Sequence, residues 1–213
     1  MSLPAVNERA LVLGIAPSGE SFLKLNVLTA ESGVFLCLKR TSKKFSQNAA
    51  PDLFDTAHLH LQTSKQGTAR FVGEYQLIQR RSELGQSYAR LRHASDFCAL
   101  LALNGPHMAD PAALFQLTER TLDAFAERAA PGIILLKGIY LLLKDEGYPV
   151  RESWWPQIPI HWRDTARDLI NKPTPDTPPP ELIEATEHIT RNLCHWLRRE
   201  TDLHLPDNMQ ARR

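Results

Sequence analysis

The apolar residues of this chain follow one period up to residue 78 and another from residue 88 onward, and that change fixes the order of its parts. In the first part they recur at every second position. Residues 56–64 set Ala57, Leu59 and Leu61 on one side and His58, His60 and Gln62 on the other, the alternation of a half-buried strand. Residues 21–29 intersperse Lys24 and Asn26 among Phe22, Leu23, Leu25, Val27 and Leu28. Residues 9–16, 34–38 and 68–78 supply three further strand candidates. Pro17-Ser18-Gly19 ends the first strand, and Gly33 suits a turn position that needs φ > 0. Lys65-Gln66-Gly67 makes the last turn, and Gly73 suits a bulge. Five short, glycine-punctuated strands fit a partly open barrel of the OB type, because closure removes exposed edges.

Beyond Arg80-Arg81-Ser82 the period becomes helical. Tyr88, Leu91, Ala94, Cys98 and Leu101 share one face of a helix that Asn104-Gly105-Pro106 stops. Asp110 is a good N-cap with Pro111 at the first helical position, and the next helix carries Leu114, Leu117, Thr121, Leu122 and Phe125. Pro131-Gly132 opens a third helix over residues 133–146, apolar on nearly every side except at Lys137, as a central core helix should be. Gly147 and Pro149 end it. Residues 151–180 are rich in proline, begin with Trp154-Trp155, and allow a short helix over 162–170 before a stiff connector. A last helix over 181–199 shows Leu182, Thr186, Ile189, Leu193 and Trp196 on one face, and residues 208–213 read as a frayed tail. The fold class is α+β: an OB barrel over residues 1–80, then a helical domain over 81–213.

The formal net charge is only +1, but it is unevenly spread. Residues 1–81 hold ten lysines and arginines against six acids, net +4, and the remainder holds fifteen against eighteen, net −3. A polyanion would be drawn to the first part. There Lys39, Arg40, Lys43 and Lys44 follow a strand directly, so a hairpin delivers four cations to one loop. A solvated loop is the plain alternative. Arg80-Arg81 could extend the basic stripe or simply join the domains.

Cys37, Cys98 and Cys194 are far apart and odd in number, which excludes a disulfide framework and points to buried thiols. Residues 1–8 lack the basic start and apolar run of a signal peptide, and residues 133–143 are too short to span a bilayer. A reducing cytoplasm fits these features. No Walker loop, GxSxG, HExxH or EF-hand pattern is present, so no residue set supports catalysis. His58-x-His60 directs two imidazoles to one strand face, but no third ligand lies nearby in sequence, and a polar outer face accounts for both. Trp154-Trp155 either stack single-stranded bases or pack a proline-rich segment onto the helices, and packing is favoured.

Three short motifs occur in order: Ser18-Gly19-Glu20-Ser21, Thr29-Ala30-Glu31-Ser32-Gly33, and Lys39-Arg40-Thr41-Ser42-Lys43-Lys44-Phe45-Ser46. With Gly147-Tyr148-Pro149 further on, the chain resembles the bacterial recombination mediator RecO, well over residues 9–150 and weakly in the last helix. The basic loop departs from the family's Lys-Gly-x-Arg, with Arg40 at the glycine and Ser42 at the arginine. The cation count is kept while the placement is not. The four-cysteine zinc module of many members is missing, since no cysteine lies between Cys98 and Cys194, and no metal or other cofactor is expected. The resemblance implies a non-enzymatic protein of DNA repair, cytoplasmic and associated with the nucleoid. It would bind single- and double-stranded DNA, anneal complementary strands, and with RecR load RecA onto DNA coated by single-strand binding protein. Lys24, Lys39, Arg40, Lys43, Lys44 and Arg70 are the candidate DNA contacts. Lys137 is either a core-edge lysine whose stem carries its ammonium to solvent, the favoured reading, or a candidate for the acidic C-terminal tail of single-strand binding protein. The alternative is an OB-fold adaptor for another protein with little affinity for DNA.

Overall fold

The computed structural model describes residues 5–41, 50–64 and 69–210. The chain separates into two compact units, Met1–Arg81 with Gly105–Gln116, and Ser82–Asn104 with Leu117–Arg213.

The first unit is a barrel. Strands β1 (Val6–Ser18), β2 (Phe22–Thr29), β3 (Gly33–Arg40), β4 (Thr56–Thr63) and β5 (Arg70–Gln79) close in the order β1-β2-β3-β5-β4. β1 pairs with β2 and β4, β3 and β5 run parallel, and every other pair is antiparallel. This is the five-stranded barrel of OB type that the alternation predicts. The faces also follow it: Ala57, Leu59 and Leu61 are buried while His58 and Gln62 are exposed. Gly73 is the extra residue of a bulge, because His60 pairs with Glu74 and Leu61 with Val72. A second bulge in β1, at Leu13, lets the long first strand bend between its two partners. Inside lie Ala10, Val12, Leu25, Val27, Cys37, Ala57, Leu59, Leu61, Val72 and Tyr75.

Two strands outrun their expected ends. β1 continues through Pro17 and Ser18, which pair with Leu23 and Phe22. β3 continues through Lys39 and Arg40, which were expected in a loop. Leu23 and Phe22 on one side, and Val72 on the other, give them a ladder to join.

Buried polar clusters fix the connections. Gly33 has φ +69°, as the turn after β2 requires. The same turn is tied back to β1: the Glu8 carboxylate accepts from the Thr29 hydroxyl and, at 2.7 Å, from the Ser32 hydroxyl. Before β4, Phe54 is held at φ +66°, its N–H bonded to the Val12 carbonyl and its own carbonyl accepting from Arg81. Next to it the buried Asp55 carboxylate accepts from the Tyr75 hydroxyl at 2.7 Å, from Arg80 Nε at 3.0 Å and Nη2 at 2.8 Å, and from the Asp52 N–H at 2.9 Å. Arg80 and Arg81 are thus engaged inside the unit. The returning stretch packs on the barrel as well. Gly105 lies so close to Val34 that a methyl group there would overlap the valine side chain, and Arg9 sits over the Phe115 ring at 5.4 Å.

Burial of Cys37 pushes its thiol from 9.0 up to about 12, with Arg70 pulling the other way. The unfolded chain ionises this thiol at its ordinary value. The corresponding stability is therefore complete below about pH 9 and is lost as the pH climbs toward 12. Burial and the Asp55 hydrogen bond also raise the Tyr75 phenol, so the comparison that isolates Cys37 is wild type against Cys37→Ala. Denaturant melts across that window should fall more steeply with pH for wild type. Parallel pH dependence in the two proteins would refute the assignment.

The second unit is built from α1 (Tyr88–Asn104), α2 (Pro111–Glu127, whose first residues count with the barrel), α3 (Pro131–Asp145), α4 (Ile160–Asn171), α5 (Pro180–Glu200) and α6 (Asp207–Gln210). The cap at Asp110 forms as expected, its Oδ1 accepting from the Ala113 N–H at 2.9 Å. α3 is the central helix, with Ile133, Ile134, Leu135, Leu136, Ile139, Leu142 and Leu143 all buried. It ends in a Schellman arrangement: Gly147 at φ +79°, with Gly147 and Tyr148 N–H groups bonded to Lys144 and Leu143 carbonyls. In α1 the buried face is Ala94, Phe97, Cys98, Leu100 and Leu101, whereas Tyr88, expected on it, is 79% exposed. Residue 88 begins the helix, before the core is reached.

After α3 the chain forms a π-helical turn, Val150–Trp154, and a 3-10 turn, Trp155–Gln157. Trp154 is fully buried against Tyr140 and Trp155, each 6.1 Å away, and its indole N–H donates to Asn192 Oδ1 at 2.8 Å. This is the packing role. The described part of the expected frayed tail is tied down: α6 buries Met209, and the Arg198 guanidinium bonds the Met209 and Gln210 carbonyls. Among the described residues no helix is long and apolar enough to cross a membrane.

Candidate nucleic-acid interface

In a sheet, residues paired across strands share a face, and neighbours along a strand do not. That rule sorts the candidate cations. Lys24, Leu38 and Phe71 form one row across β2, β3 and β5, and Phe22 and Arg40 form the next. These side chains face outward: Lys24 and Arg40 are exposed, and Leu36, on the same side of β3, is 42% exposed. Lys39 is on the opposite face, in register with Leu23 and Val72, and is half-buried. Burial lowers its ammonium below the usual lysine range, with Glu74 opposing the shift. Arg70 begins β5 in register with Cys37, and its guanidinium lies 4.1 Å from the centroid of Phe35.

Lys24, Lys39, Arg40 and Arg70 are therefore gathered at one end of the β2-β3-β5 sheet, from two faces. Lys43 and Lys44 lie outside the described residues. Lys137 belongs to the other unit, on α3, where its ammonium donates to the Lys172 carbonyl at the end of α4. There it satisfies a terminal carbonyl and complements the helix dipole, and burial lowers its pKa.

The outer face also carries an aromatic pair that the sequence did not single out. Phe22 and Phe71 are both half-buried, with ring centroids 6.1 Å apart and planes 61° apart. Alternation marks each as a strand residue, but only the parallel β3–β5 pairing brings Phe71 beside β2 and β3.

His60 Nδ1 lies 2.8 Å from Asn7 Oδ1, and no cluster of three possible ligands occurs among the described residues. Compared with models of known protein families and with curated proteins, the chain matches none.

Proposed function

We propose that this chain binds DNA through the outer face of β2, β3 and β5 and acts, without catalysing a reaction, as a RecO-like mediator of repair and recombination in the cytoplasm. The observation that carries the reading is the register. It sets Lys24 and Arg40 side by side with Phe22 and Phe71 on the strand 2–3 face, where OB barrels take oligonucleotides. Cations on such a face bind phosphates, release counterions and reduce the repulsion between two strands, which is what annealing requires. Partnership with RecR and with the tail of single-strand binding protein, and help in loading RecA, follow from the resemblance and extend the proposal.

The test is a salt titration of binding to a short single strand. If Lys24 and Arg40 each meet a phosphate, log K against log salt should have a slope of about −1.4, from about 0.7 per contact. The Lys24→Glu/Arg40→Glu variant should bind about tenfold or more weakly and flatten that slope. The adaptor reading draws on the near-neutral total charge and the altered basic loop, and Arg80 and Arg81 add no free cations to the face, being engaged inside the barrel unit. No salt-dependent binding by wild type would select the adaptor.

A further inference from the structure

We infer that Phe22 and Phe71 form a stacking platform for unpaired bases, so that this face takes single-stranded DNA in preference to duplex, an inference that rests on the DNA-binding reading above. A phenylalanine that serves the core is buried, as Phe97 and Phe125 are at 0% exposure. Phe22 and Phe71 instead stand on the outer side of the sheet, partly accessible rather than fully buried, and meet edge to face. An edge-to-face pair leaves the faces of the edge-on ring uncovered by its neighbour. Lys24 and Arg40 flank the rings in the same two rows, which places phosphate contacts beside the stacking surface. Two positions beyond Phe71, the bulged Gly73 carries no side chain, and the Gln62 and His60 side chains of β4 border the space above it.

The occupant follows from chemistry. The cations select a polyanion, and aromatic faces add affinity only where bases are free to leave their own stack. In duplex DNA the base faces are already covered by one another and only base edges and phosphates are presented. The rings therefore favour single strands, while the cations serve both forms.

The experiment compares three probes of equal length: oligo-dT, an abasic oligomer with the same phosphates, and a duplex. Wild type should bind oligo-dT about tenfold or more tightly than the abasic strand. Phe22→Leu/Phe71→Leu, which keeps apolar volume without an aromatic face, should bind the two equally, with duplex affinity changed by less than about twofold and an unaltered salt slope. A wild type that binds oligo-dT and the abasic strand equally, both with salt dependence, overturns the stacking platform and leaves the DNA interface standing. So does a double variant that keeps the preference. Wild type that binds none of the three probes overturns the DNA-binding reading itself. A melting curve checks that the double variant folds, and if it does not, the wild-type comparison of oligo-dT with the abasic strand decides.

Discussion

Trp154→Ala should destabilise the helical unit by about 3–5 kcal/mol, the range for emptying a fully buried aromatic site. The site has little means of collapsing. Tyr140 comes from the central helix α3, Asn192 from α5, and the indole lies between them. Removing it leaves a cavity and strips Asn192 Oδ1 of its donor. Trp154→Phe should retain much of the packing and lose mainly the hydrogen bond, at a smaller cost. Trp155, only half-buried, should cost markedly less when truncated. Urea unfolding followed by helical circular dichroism checks the order. Equal losses for Trp154→Ala and Trp155→Ala would show that Trp154 does not anchor the segment.

Asp55→Ala should cost about 2–4 kcal/mol, because one buried carboxylate serves three partners. Tyr75, Arg80 and the Asp52 N–H all lose their acceptor. Tyr75 is the most severely affected, its hydroxyl being left in the core with nothing to receive its proton. The Arg80 side chain is 36% exposed and can turn to water, so Arg80→Ala should cost less than Asp55→Ala, and Tyr75→Phe less again. The same unfolding measurements, monitored by a signal from the barrel, test this ranking. If Arg80→Ala equals Asp55→Ala, the ion pair alone accounts for the cluster and the Tyr75 contact contributes nothing.

Much of the fold was legible because local chemistry and tertiary structure agree. The alternation of residues 56–64, the bulge at Gly73, the cap at Asp110 and the stop at Gly147 each follow from the residues on the spot. The misreadings occur where a distant partner decides. Lys39 and Arg40 look like loop residues, yet β2 and β5 on either side draw them into the ladder. Residues 208–210 look like a tail, yet Arg198 holds the Met209 and Gln210 carbonyls. The site was half legible for a related reason. A run of cations reads as one patch, but consecutive residues on a strand point to opposite faces, so Arg40 is presented outward and Lys39 is not. The Phe22–Phe71 pair was out of reach, since only a parallel pairing joins two segments so far apart in sequence.

The barrel unit is discontinuous, and this bears on how the chain is made. A ribosome delivers β1 to β5 before Arg81, but the stretch that covers Val34 and Arg9 does not emerge until Gly105–Gln116. All of α1 is synthesised in the interval. The nascent barrel must therefore wait, with part of its surface bare, for a segment encoded beyond the first helix. A single cleavage after residue 81 would leave the same surface bare for good, so the barrel cannot be excised intact by one cut.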